Sequence, residues 1–444
     1  MLRMNKTNDL PTYRQVHSMA FYVWIHLLIA FIGMGVYALI MSLVYDMEIF
    51  EFSLKIPWAT MVSNYVFLVG SSVGLCIVSS LGLVFGLDRY HSIVKRGLFM
   101  SLIAIIFGMI SIMLHLGHPE RPAIFTMLTP NPRSAMWGMG IVYPPYIFSL
   151  ALCFWLLIRK ELVETAAASS GFKAKIYGLM ALEGLRPYLQ KEIALDRLES
   201  RIYGLLPLQR WGLTLDDDGA DIKWASIFGT LAFISGLLAY TVESTLFAHT
   251  EARAFWYGAL TPVDFYLGAC LCGFAWVLVA KIATHKVKRD NIPKHSKGVL
   301  FEMGNILALL LSVEILFIAY KMGHGLLDPV KGKTILLFLK GPYSPAFWGI
   351  EIFIGLVLPI VILLYSIKKE RTTGLMVASS MVLISYFVKR YDFVTAAQVY
   401  PAIKSGLPSY LPTLMETLLI AGIIAGVFLA YTLGEMFLSL NEKR

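Results

Sequence analysis

The sequence predicts an all-α, polytopic membrane protein with about ten transmembrane helices, set out as two parallel-repeated four-helix bundles plus two peripheral helices. Three observations carry that expectation. The 444 residues are 57% apolar and 15% charged, where soluble domains are about 45–50% apolar and about 25% charged. The apolar residues sit in runs of roughly 20, long enough to cross a hydrocarbon core of about 30 Å. A set of landmarks also occurs twice in the same order. Continuous rather than alternating runs argue against a barrel, and helices satisfy their own backbone groups in lipid.

In chain order the spans are expected at 18–45, 57–86, 98–116, 135–158, 224–247, 263–283, 299–321, 345–367, 374–388 and 412–436, the ninth being the shortest. The N-terminal stretch lacks an apolar core and a cleavage site, so no signal peptide is expected. Cys76, Cys153, Cys270 and Cys272 all fall inside apolar runs without metal-site spacing. The net charge of +9 is read as a topology signal rather than a nucleic-acid footprint. Arg89, Lys95, Arg96 and the basic stretch from Lys281 to Lys297 place both termini in the cytoplasm. The 159–223 loop has helical apolar spacing across 173–206, which fits either interfacial amphipathic helices or a docking surface for a cytoplasmic partner. Asp216, Asp217 and Asp218 read as a solvated turn.

The repeat rests on three pairs. Trp58 precedes Gly70 by twelve residues, as Trp256 precedes Gly268. Gly117-His118 after the third span matches Gly323-His324 after the seventh, and Ser134 to Gly138 matches Ser344 to Gly349. Residues 1–56 then form the tail and first peripheral helix, 57–247 the first bundle, 248–388 the second, and 389–444 the last helix and tail. Both units run the same way, unlike the inverted repeats of many transporters.

Chemistry concentrates in the external loop between spans three and four. His115 and His118 lie three apart, Glu120, Arg121 and Arg133 supply both signs of charge, and Trp137 adds an aromatic ring. A redox-active quinone needs such a place, with proton-exchanging partners for its head and apolar helices for its tail. A polar helix end anchored at the interface fits the same residues. Carboxylates within spans form a second group: Glu302 and Glu314 in span seven, Glu351 in span eight, and Glu243, Asp264 and Glu416 near external ends. Charge at membrane depth is expensive, so Glu302, Glu314 and Glu351 suggest either a proton path or local helix–helix bonding. His26 is the lone histidine in the middle of a span, which disfavours bis-histidine haem. Nucleotide-binding and hydrolase motifs are absent.

At these residues the chain resembles the NrfD/PsrC family of membrane subunits in quinone-linked redox complexes. The match runs through Leu116-Gly117-His118-Pro119-Glu120-Arg121 and Ser134-Ala135-Met136-Trp137-Gly138. It continues with 67–70, Pro262 with Phe265, and Arg390 to Val394. Ten spans rather than eight resemble the DsrP/HmcC branch of sulfate-reducer complexes. The resemblance implies a menaquinone pocket near the external face of the first bundle, with no haem or iron–sulfur cluster in this chain. It also implies a ferredoxin-like iron–sulfur subunit on that face, further cytochrome and cytoplasmic redox subunits, a cytoplasmic-membrane location and a role in anaerobic respiration. Histidine replaces the family's usual aspartate at His115 and its arginine at His118, so the proton chemistry does not carry over unchanged.

The candidate quinone site is therefore Tyr65, Gly70, His115, His118, Arg121, Arg133, Trp137 and Tyr143. His115 is the candidate acid–base group, since a neutral imidazole with an ordinary pKa of ~6.5 can take a quinol proton. The competing expectations are a proton or ion translocator using the span-seven and span-eight acids, and a purely anchoring subunit. The charge bias makes a topology prediction: a reporter fused after Arg444 is cytoplasmic and one inserted near Asn131 is external. A cytoplasmic Asn131 inverts the arrangement.

Overall fold

The computed structural model describes residues 19–45, 50, 56–116, 128–181, 218–399, 410–438 and 440. Ten of its helices are long and apolar enough to cross a membrane. The protein is a multi-pass integral membrane protein. We number the helices α1 (Met19–Val44), α2 (Thr60–Leu83), α3 (His91–His115), α4 (Ala135–Ala168), α5 (Gly171–Met180) and α6 (Asp218–Ala248). The chain continues with α7 (Leu260–Lys288), α8 (Lys294–Leu326), α9 (Lys331–Leu339), α10 (Ala346–Lys368), α11 (Thr372–Val399) and α12 (Leu414–Phe437). Helices α5 and α9 are too short to span.

Packing follows from which faces are apolar and which are small. Helices α2, α3, α4 and α6 close one ring, and α7, α8, α10 and α11 close another. Helix α2 joins them by packing on both α7 and α11, and nearly all of its residues are buried. Helices α1 and α12 pack on each other, and α12 also rests on α3. One side of the assembly holds the end of α3, the start of α4 and the start of α7; we call it the Asn131 face. The other holds the start of α3 and the end of α7.

The α2–α7 crossing is a backbone-to-backbone contact. A methyl group added at Gly74 would land on the Ala269 carbonyl, and one at Gly273 on the Gly74 carbonyl. Without a hydrophobic drive between helices in lipid, small residues that let backbones approach give such contacts their strength. Nearer the Asn131 face, Trp58 and Trp256 stack with centroids 5.3 Å apart. A glycine–tyrosine contact occurs twice, Gly70 against the Tyr240 hydroxyl and Gly268 against that of Tyr386.

Ion pairs knit the opposite face. Buried Arg96 donates from Nη2 and Nε to Glu435 Oε1 at 2.7 and 2.9 Å. Lys288 reaches Glu435 Oε2 at 2.8 Å, tying α3, α7 and α12 together. Arg159 and Asp221 form a two-bond pair at 2.8 and 2.7 Å between α4 and α6. Lys95 meets Glu161 at 2.9 Å.

Pairs of this kind, with those of Lys389 and Arg390 to Asp264 on α7, explain where helix limits depart from the apolar runs. Helix α3 begins at His91 rather than 98, α4 continues to Ala168 rather than 158, and α11 continues to Val399 rather than 388. Each extension carries charges neutralised by a neighbouring helix, so hydropathy ends the span too early. Arg390 to Val394 accordingly lie within α11 rather than after it. From the 159–223 loop, Gly171–Met180 is helical, and Tyr177 donates to the Phe437 carbonyl at 2.9 Å; residues 182–217 lie outside the described residues. Within α10, Ala346–Val357 winds as a π-helix around Glu351.

Gly74→Leu tests the central crossing. Overpacking a close-packed seam costs about 1–3 kcal/mol, and here the added atoms meet backbone, so the loss falls at or above the top of that range. Gly33→Ala in α1, which meets nothing within 4 Å, serves as the neutral control. The measurement is the unfolding midpoint of detergent-solubilised protein.

Candidate functional site

Two buried polar groupings lie inside the rings of helices. In the first ring, the Tyr65 hydroxyl of α2 lies 2.6 Å from that of Tyr143 on α4. Tyr143 in turn donates to Oε2 of Glu243 on α6 at 3.1 Å. A phenol carries one proton, so once Tyr143 gives its proton to Glu243 its oxygen accepts from Tyr65. The chain is thus directional, Tyr65 to Tyr143 to Glu243, and a concerted shift along it moves one proton. All three side chains are buried, Glu243 completely. Its second oxygen, Oε1, has no hydrogen-bond partner among the described residues.

The local sequence explains the arrangement. Pro144 and Pro145 sit inside α4, and a proline there frees the carbonyl four residues earlier and loosens the helix. Tyr143 and Tyr146 lie three apart on one stripe. Tyr146 extends the polar line inward through Ser72 at 2.8 Å and Ser101 at 3.1 Å. On α6, Tyr240 and Glu243 likewise share a stripe; Tyr240 fills the space left by Gly70.

The second ring holds a network of charges. Asp264 of α7 accepts from Lys389 at 2.6 Å and from Arg390 at 3.1 Å, both on α11. Lys389 also donates to Glu314 of α8, and Arg390 to Tyr386. The Arg390 guanidinium lies over the Phe265 ring at 4.2 Å. Beyond Lys389, a small cavity is lined by Glu314, Glu351, Ser385 and Tyr386. Glu351 neighbours Asp392, and each has one oxygen without a hydrogen-bond partner among the described residues. The groupings approach each other at Tyr240, whose ring lies 5.5 Å from that of Phe265, the residue beneath Arg390.

The profile of the family described as polysulphide reductase, NrfD matches residues 48–402. The chain belongs to the NrfD family. Its relatives include the selenate reductase C subunit of Mesobacillus selenatarsenatis, 24% identical over 369 residues, which cover 83% of this chain and 80% of that one. A second is the Hdr-like menaquinol oxidoreductase integral membrane subunit of Archaeoglobus fulgidus, 22% identical over 405 residues, covering 88% and 83%. A third is the putative dimethyl sulfoxide reductase membrane C subunit of Halobacterium salinarum, 24% identical over 263 residues, covering 59% and 50%.

Within this NrfD chain the sequence-derived candidates fall into three sets. Tyr65 and Tyr143 meet directly, and Gly70 lies on the same α2 segment. His115 ends α3, half-buried. One turn earlier on the same stripe, Ser111 accepts from Asn64 at 3.1 Å, so this side of α3 faces α2 beside Tyr65. Trp137 is half-buried in the first turn of α4, which Ser134 caps, whereas Arg133 is exposed. His118 and Arg121 lie outside the described residues. Of the acids, Glu314 and Glu351 share a cavity, while Glu302 pairs with Arg89 and Tyr90 at 2.9 Å near the opposite face.

Composition marks Glu243 and Asp264 as intramembrane acids without giving either a partner. The signal for Glu243 is a tyrosine three residues before it on an otherwise apolar helix; for Asp264 it is a basic pair, Lys389-Arg390, late in α11. Asp264→Asn tests how strongly the second ring depends on its central carboxylate. Removing one partner of a buried ion pair costs about 3–5 kcal/mol, whereas Arg133→Ala at the exposed surface stays within about 0.5 kcal/mol. Unfolding of the two variants in detergent makes the comparison.

Proposed function

We propose that this chain is the quinone-reactive membrane subunit of a respiratory redox complex. In this reading it exchanges electrons between menaquinol or menaquinone in the bilayer and an iron–sulfur partner subunit seated on the Asn131 face. The observation that carries the proposal is the buried Tyr65–Tyr143–Glu243 chain, ending on a carboxylate oxygen that lacks a partner among the described residues. Family membership and the menaquinol oxidoreductase relative support it.

The residues present fit a quinone head group. Tyr65 and His115 offer hydrogen-bonding groups at the Asn131 end of α2 and α3, and Trp137 supplies an aromatic wall near the start of α4. A bound menaquinol supplies two electrons and two protons. The protein provides places for those protons: the His115 imidazole toward the Asn131 face, and Glu243 at the end of the tyrosine pair. Tyr65 and Tyr143 hold the proton route in line and exclude water from it. A positioned acid–base group contributes about 10²–10⁴ in rate. His115→Leu and Glu243→Gln each lower menaquinol-analogue oxidation by the assembled complex by that factor, and Tyr143→Phe breaks the same route. Parent turnover in both His115→Leu and Glu243→Gln removes the assignment.

A second function, proton translocation, is favoured by one specific observation. Glu314, Glu351 and Lys389 surround a cavity inside the second ring, and buried acids in membranes commonly mark proton relays. Glu314→Gln or Glu351→Gln then abolishes proton uptake by liposomes holding the complex while quinol oxidation persists. Unchanged uptake in both variants returns these acids to a structural role.

A further inference from the structure

At the Asn131 end of the second ring lies a recess outside the groupings described above. It is lined by Phe255, Tyr257, Lys321, His324, Lys331 and Ile335 among others. Lys321, on the last turns of α8, has only 11% of its side chain exposed. Its ammonium is 3.7 Å from Asp264 Oδ2, beyond hydrogen-bond range, and that carboxylate already accepts from Lys389 and Arg390. The ammonium lies over the Phe255 and Phe393 rings at 5.2 and 5.3 Å. Among the described residues no acceptor completes its three N–H groups. An ammonium this buried, whose nearest counter-charge is a shared carboxylate 3.7 Å away, has donors to spare, and it lines the recess.

Two further groups of the same sign line that recess. Lys331, at the start of α9, reaches in to donate to the Tyr257 carbonyl at 2.8 Å, leaving two donors. His324 sits one turn beyond Lys321 on α8, its ring 5.7 Å from that of Tyr320. The nearest acid on this rim, Asp328, is already engaged, because its Oδ1 accepts from the Val330 and Lys331 backbone N–H groups at 2.8 and 3.0 Å and caps α9. Those bonds hold its carboxyl below the usual carboxylate range.

The rim, by contrast, is apolar. Leu326, Leu327, Val330 and Leu336 are exposed around the start of α9. Trp348, also exposed, donates to the Leu339 carbonyl at the end of α9 at 3.2 Å. A short helix with Leu336 outward, Lys331 turned into the recess, exposed apolar residues at its start and a nearby tryptophan has the pattern of a segment lying in the membrane interface.

We propose that this recess binds a phosphate-type oxyanion, presented as the head group of an anionic membrane lipid whose chains run over the exposed leucines. Lys321 and Lys331 supply the charge and donors, His324 a third donor, and Phe255 and Tyr257 the walls. The assignment is independent of the quinone reading, because it uses a different ring of helices and none of the same residues.

The test uses the full chain in its purified complex, delipidated in mild detergent and then supplied with phosphatidylglycerol, phosphatidylcholine or inorganic phosphate. Bound lipid is counted by native mass spectrometry, and protection is read as a rise in unfolding temperature. Phosphatidylglycerol is expected to be retained and to protect at least tenfold more tightly than phosphatidylcholine. That preference falls at least tenfold in Lys331→Gln and in Lys321→Met. Lys331→Gln lies outside the buried charge network, so the test stands even where Lys321→Met does not fold. Protection by inorganic phosphate alone, lost in the same variants, keeps the oxyanion site but overturns the lipid as its source. Equal retention of both lipids, or an undiminished preference in Lys331→Gln, overturns the proposal.

Discussion

The close crossing of α2 and α7 at Gly74 and Gly273 is the constraint on which the rest of the interior depends. It brings two rings of helices to backbone contact and leaves α2 buried on almost every side. In lipid, a helix surrounded by protein is where polar side chains can be tolerated, because each finds a partner instead of hydrocarbon. Tyr65, Ser72 and Asn64 are all carried by this helix, each bonded to a different neighbour. A bulkier residue at the crossing pushes the rings apart and removes the α7 cover that keeps α2 enclosed in protein.

The rings then divide the chemistry. Toward the Asn131 face, the buried polar grouping of the first ring is made of tyrosine hydroxyls and one carboxylate, Glu243. The second is crowded with opposite charges whose desolvation is offset only by mutual pairing. Between them stand Tyr240 and Phe265, with Arg390 on the far side. The Phe265 ring lies 5.5 Å from that of Tyr240 and 4.2 Å from the Arg390 guanidinium, so packed side chains join the two groupings.

The span count and the all-helical architecture are legible in the sequence because a bilayer demands long apolar runs and little else. Helix limits are less so: Arg96, Arg159 and Lys389 read as ends of spans, yet each lies within a helix because a carboxylate from elsewhere meets it. The same effect hides part of the site. Tyr65 and Tyr143 stand out as polar groups near one face, and they do meet. Glu243 joins them from a helix far along the chain, and no local spacing announces that. Glu302 and Glu314 look alike in sequence, yet one binds Arg89 near a helix start and the other sits inside the charge network. Depth and partner, rather than residue type, separate them.

In the proposed function, Glu243 receives a proton when quinol is oxidised. Redox-induced infrared difference spectroscopy on the assembled complex tests it most directly. On menaquinol-analogue oxidation the account predicts a carboxyl C=O band that shifts on deuteration and disappears in Glu243→Gln. A difference spectrum in which the same carboxyl bands persist in Glu243→Gln would contradict it.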